Sequence, residues 1–153
     1  MARSNRERTE ATRLALIAAA RRLFVEKGYA ETATPDLVAE AGVTRGAISH
    51  HLEDKRALFR ATLEREAEAV AADIEAASLP SGSPRTALLA GASAYFDAMA
   101  EPGRTRLLLL EAPAVIGLES AGAIDRENAE GTLRQGLADL LGPDVGAVKL
   151  QAL

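Results

Sequence analysis

Apolar positions recur at helical spacing along nearly the whole chain, punctuated by glycine and proline. From about Glu10 to Lys27, Leu14, Ile17, Ala18 and Phe24 form one stripe, which Leu16 and Leu23 widen. Gly28 follows a basic last turn and predicts a stop. Thr34 is the predicted cap of the next helix. Pro35 sits in its first turn, where a missing N–H is harmless, and Asp36 adds favourable charge. Leu37, Val38 and Ala41 share one face of that short helix, Gly42 supplies a positive φ, and Val43 fills the corner. Thr44 is predicted to cap a second short helix that turns Arg45, Gly46, Ser49 and His50 outward and Ala47 and Ile48 inward.

Asp54 predicts the cap of a long amphipathic helix from Lys55 to about Ala77. Leu58, Phe59, Leu63, Ala67, Val70 and Ile74 form its apolar face, with Glu64, Arg65, Glu66 and Glu68 on the other. The run Ser78 to Pro84 reads as a loop. Helix resumes to about Ala100 with Leu88, Leu89, Ala92, Tyr95, Phe96 and Met99 apolar, until Pro102-Gly103 breaks it. A short leucine-rich helix is predicted from Arg104 to Glu111, ending before Pro113. One longer helix then runs from about Ser120 to Leu141 through Gly131 and Gly136. Gly142-Pro143 closes it, and residues from Asp144 onward read as the opening of another helix. No segment alternates as a strand does, so the fold class is all-α.

Composition agrees with that reading. Of the 153 residues, 48% are apolar but only 3% aromatic, a bias toward helix formers. A chain of this length buries roughly 68–70% of its unfolded surface and needs no staple. Cysteine is absent, which excludes disulfides, thiolate metal sites and a cysteine nucleophile. Residues 1 to 13 are polar and arginine-rich, unlike a signal peptide, and no apolar run is long enough for a bilayer. A cytoplasmic protein is the expectation, with no membrane partner. Net charge is −4, but it is unevenly placed. Residues 1–60 carry 11 Lys or Arg against 8 Asp or Glu, and the rest carry 7 against 14. A mildly basic head on an acidic body is attracted to phosphate at one end only.

The set Gly28-Tyr29, Thr34, Ala39, Ala41-Gly42-Val43, Thr44-Arg45-Gly46, His50-His51-Leu52 and Asp54-Lys55 with Leu58-Phe59 resembles the N-terminal domain of the tetracycline-repressor (TetR) family. The match runs in order and without gaps from about Ala11 to Phe59. The resemblance implies a three-helix DNA-binding domain with a helix-turn-helix, residues 1–54 with an arm at 1–9. A long helix would join it to a helical effector-binding and dimerisation body, residues 55–153. It also implies a homodimeric transcriptional regulator, usually a repressor, that leaves palindromic double-stranded operator DNA when a small molecule binds.

Carried onto this chain, the resemblance gives Thr34 and Thr44 phosphate contacts and makes Arg45 the base reader, its fork matching guanine O6 and N7. Gly46 permits close backbone approach, Ala47 makes a small apolar contact, His50 meets a phosphate or base edge, and Lys55 clamps a phosphate. Ser49 stands where the family most often has tyrosine and Leu52 where it usually has phenylalanine. The chain also stops at Leu153, before the two helices that usually build the dimer interface, so it is either truncated or pairs differently.

Tyr95, Phe96, Met99, Leu108 and Val115 are the residues expected to enclose an effector pocket, with Glu111 as its polar anchor. Singly, each apolar residue is better explained by core packing than by pocket lining. No catalytic residues are expected, since no Ser-His-Asp, phosphate-loop or HExxH pattern occurs. No cofactor is implied, and His50-His51 without acidic or cysteine neighbours makes a poor metal site. The rival readings are an enzyme using one of the many carboxylates and a helical interaction module that never touches DNA.

Overall fold

The computed structural model describes residues 5–44, 46, 54–79 and 82–142, and all regular structure among them is helical. We number the described helices α1 (Asn5–Glu31), α2 (Thr34–Ala41), α3 (Lys55–Ser78), α4 (Pro84–Met99), α5 (Ala112–Ile116), α6 (Leu118–Glu127) and α7 (Ala129–Leu141). A π-helical run, Arg106–Glu111, leads directly into α5.

Helix α1 begins at Asn5 rather than Glu10, so residues 5–9 of the predicted arm are helical. Its predicted stop is a sharp break: Gly28 has φ 82° and ψ 166°, and a last turn follows to Glu31. Thr32, fully buried, ties that turn down by donating from Oγ1 to Gly28 O at 2.7 Å. Helix α2 ends in a Schellman motif. Gly42 is left-handed at φ 64°, its N–H donates to Ala39 O, and Val43 N–H donates to Val38 O. Val38 and Val43 both pack on the core, as the corner required. The cap of α2 is Ala33, whose methyl can accept no hydrogen bond, and Thr34 is its first helical residue. The predicted Asp54 cap of α3 forms, with Oδ1 accepting from Ala57 N at 2.8 Å.

Beyond α4 the structure departs from the predicted pattern. Pro113 does not end a helix. It lies within α5, and the preceding run is wound to i→i−5, with Ala112 N donating to Leu107 O. Wider winding relieves the clash that a proline ring makes with the carbonyl four residues back. The predicted helix from Ser120 to Leu141 is two helices that meet at Asn128 (φ −126°, ψ −106°), whose side-chain amide donates to Ile124 O at 2.7 Å. Gly131 and Gly136 lie inside α7 without breaking it. The predicted helix from Asp144 lies outside the described residues.

The main core is built from Leu16, Phe24, Leu37, Leu58, Phe59, Leu63 and Leu107, each essentially inaccessible. Rings of Phe24, Phe59 and Tyr29 pack at its centre, with Phe24 and Phe59 edge to face at 5.0 Å. This core joins α1, α2 and the first half of α3 to the π-run, α5 and α6. A second cluster, Val70, Ile74 and Ala98, is small. Along α4 only Gly91 and Ala98 are buried, while Leu89 and Phe96 are exposed, so much of its predicted apolar face lies open within this chain.

Candidate functional site

Two features stand out: the joint between the head (α1, α2, start of α3) and the rest, and a pair of cavities beside it. The joint is polar. Glu66, 7% exposed, receives two arginines. Arg21 of α1 reaches Oε1 from Nε at 2.7 Å and Oε2 from Nη2 at 3.1 Å, and Arg104 reaches Oε2 from Nε at 2.9 Å. Arg104 also donates to Ala98 O at 2.7 Å, and Arg21 to Pro102 O at 3.2 Å. Burial alone would raise the Glu66 carboxyl, but the hydrogen bonds from Arg21 and Arg104, then their charges, hold it below the usual carboxylate range. Glu66 had read as part of the solvated face of α3. It lies three residues after Leu63 and four before Val70, on the apolar stripe, which is the signal that could have placed it inside.

A second clasp lies at the α1 break. Glu111 Oε2 accepts from Tyr29 N at 3.0 Å, and Oε1 pairs with Arg106 Nε at 2.8 Å. Gly28 is pressed against both side chains: a Cβ there would stand 2.6 Å from Arg106 Nη2 and 3.1 Å from Glu111 Oε1. Glu111, expected as the effector anchor, is thus bonded to the head and lines neither of these two cavities. Val115 is likewise against the main core, with its carbonyl accepting from Arg56 Nε at 3.3 Å.

Among the predicted DNA-contacting residues, Thr34 is half-buried, and its hydroxyl makes no hydrogen bond among the described residues. Thr44 and Gly46 are exposed. Lys55 points its ammonium inward, donating to Tyr29 O and Thr32 O at 2.8 Å each and lying 4.3 Å from the Tyr29 ring centre. One of its three donors is left over. Arg45, Ala47, Ser49 and His50 lie outside the described residues.

The smaller cavity, about 250 Å³, lies between α3, α4, the π-run and α6; Leu63, Val70, Tyr95, Met99, Leu108 and Asp125 are in its wall. The larger, about 860 Å³, opens along the far half of α3, α4 and α7, past Ile74, Leu88, Tyr95, Phe96 and Leu133. Of the predicted pocket residues, Tyr95, Phe96, Met99 and Leu108 are thus brought together around the two cavities, which share Tyr95, Asp125 and Ala129. Among the described residues no group of His, Cys, Asp or Glu could hold a metal, and no helix is long and apolar enough to cross a membrane.

Residues 16–62 match the family described as bacterial regulatory proteins, tetR family. The transcriptional regulator TtgR of Pseudomonas putida is 42% identical over 64 residues, which are 42% of this chain and 30% of that protein. The transcriptional repressor BepR of Brucella suis is 40% identical over 65 residues, 42% of this chain and 31% of its own length. The chain thus aligns with under a third of each of these curated relatives. Similarity to solved structures extends much further. The crystal structure of a TetR-family transcriptional regulator from Pectobacterium atrosepticum superposes with a TM-score of 0.72 at 32% identity, covering 91% of this chain and 70% of that one. With likeness of sequence over the head and of both sequence and shape over most of the remainder, the chain belongs to the TetR family of bacterial transcriptional regulators.

Proposed function

We propose that this chain is a sequence-specific DNA-binding transcriptional regulator, a homodimeric repressor released from a palindromic operator by a small molecule. The observation that carries the reading is where the family match falls: residues 16–62 hold every predicted DNA contact and the Schellman turn at Gly42 that precedes the contacts from Thr44 onward. Residues 1–54 then act as the DNA-binding head and 55–153 as the ligand-binding and dimerisation body. Arg45 reads a base edge, Thr34, Thr44 and the remaining donor of Lys55 meet phosphates, and Gly46, Ala47, Ser49 and His50 complete the surface laid in the groove.

Release follows from the joint. Leu108 lines the smaller cavity, and Glu111, three residues along the same π-run, holds the N–H of Tyr29 in the head. A ligand preferring one position of that run biases the position of the head through Glu111 and through the Arg21–Glu66–Arg104 cluster. The role is non-catalytic and belongs in the cytoplasm, where the operator is.

Selection of bound duplexes from a random pool tests the reading. Palindromic sites with half-site centres about 34–36 Å apart should be enriched, and binding should weaken steeply with salt. Absence of any enriched sequence would overturn the reading in favour of a helical interaction module.

A further inference from the structure

The two cavities share one charged side chain. Asp125, near the end of α6, lines both, and among the described residues it is the only charged one in the wall of the smaller. The wall of the larger adds Glu75, Glu130 and Asp139, and among the described residues neither wall holds a lysine or arginine. Glu130 is ion-paired with Arg134 Nε at 2.9 Å, and Asp139 accepts from Gln135 Nε2 at 2.8 Å. Asp125 has the adjacent Arg126 charge and the backbone N–H of Glu130, and the negative charge of Glu130 works against it. Asp125 is itself exposed to solvent; partial burial first, and Glu130 second, raise its carboxyl above the ordinary aspartate value. Around it the smaller cavity is apolar, and Tyr95, common to both cavities, offers an aromatic ring.

We propose that these cavities take an organic cation, its apolar or aromatic body seated among Leu63, Met99 and Leu108 and its positive charge beside Asp125 and Tyr95. The inference rests on the reading of the cavities as the effector site and gives that site its ligand class. A hydrophobic anion is disfavoured by the same four carboxylates. A neutral molecule of equal shape fills the apolar wall but gains nothing from the Asp125 charge.

The test uses the full chain and two matched probes, benzyltrimethylammonium and its uncharged carbon isostere neopentylbenzene, titrated calorimetrically. The cation should bind about tenfold more tightly, as an added interaction of about 1.4 kcal/mol gives. Asp125→Asn keeps an oxygen for the Glu130 N–H. It should abolish that preference and leave the isostere unchanged, with thermal unfolding recorded to check the fold. Leu108→Trp, which fills the smaller cavity, should weaken both probes. Equal affinity of the two probes in the wild type, or a preference that survives Asp125→Asn, overturns the cation inference. In either case the cavity reading stands provided Leu108→Trp still weakens the isostere. Binding of neither probe overturns both.

Discussion

Replacing Glu66 by alanine removes the one anion that two arginines share inside the joint between head and body. Three hydrogen bonds of 2.7, 3.1 and 2.9 Å are lost, all between charged groups. Arg104, 8% exposed, is left with only the Ala98 carbonyl. Stripping a buried ion of its partner costs about 3–5 kcal/mol. The Arg21 side chain is 26% exposed, so water recovers part of its loss. We expect the lower end, about 3 kcal/mol, out of a total stability on the order of 5–15 kcal/mol. Urea unfolding followed by circular dichroism should show the midpoint lowered by roughly 1–2 M with little change in slope.

The pH dependence gives a second measure. Because the Glu66 carboxyl is held below its usual value when folded, its contribution is complete above the unfolded-state value, about pH 4.3–4.5. It is lost as pH falls through the lower, folded value. Glu66→Gln, which keeps an acceptor but no charge, should flatten that acid limb. A midpoint shift below about 0.3 M for Glu66→Ala, or an unchanged acid limb for Glu66→Gln, would refute the claim that the cluster holds the joint.

Other substitutions separate fold from recognition. Gly28→Ala forces a side chain into a backbone region open essentially to glycine and against Arg106; a loss of about 1–3 kcal/mol should appear in the same urea titration. Arg45→Ala should cost about 1–3 kcal/mol of operator binding and relax specificity at one base pair, read by competition between operator variants, with unfolding unchanged. Lys55→Ala should do both things at once. It frees the Tyr29 and Thr32 carbonyls, lowering stability, and it reduces the salt slope of DNA binding by about 1; an unchanged slope would confine Lys55 to its internal role.

Much of this protein could be read from the chain because the signals were local. Helical periodicity, the Asp54 cap and the Gly42-Val43 corner depend on residues within a few positions of one another, and each forms as its chemistry requires. The family resemblance lay in that same stretch, where spacing between successive side chains is itself the signal. Thr34 shows the ordinary limit, since the cap moved one residue to Ala33 while the helix stayed in place.

What the tertiary structure decided involved partners far apart in sequence. Glu66 and Arg21 are 45 positions apart, and Glu111 and Tyr29 are 82. No period or motif links such pairs; only the packing of α3 and the π-run against α1 makes a buried carboxylate tenable there, by supplying arginines and a backbone N–H. The same packing joined Glu111 to Tyr29 at the joint and put Asp125, on a helix whose sequence pattern gave it no distinction, in the walls of both cavities. Local chemistry determined the family and most of the helices up to α4; which charged groups face one another was determined by how the helices meet.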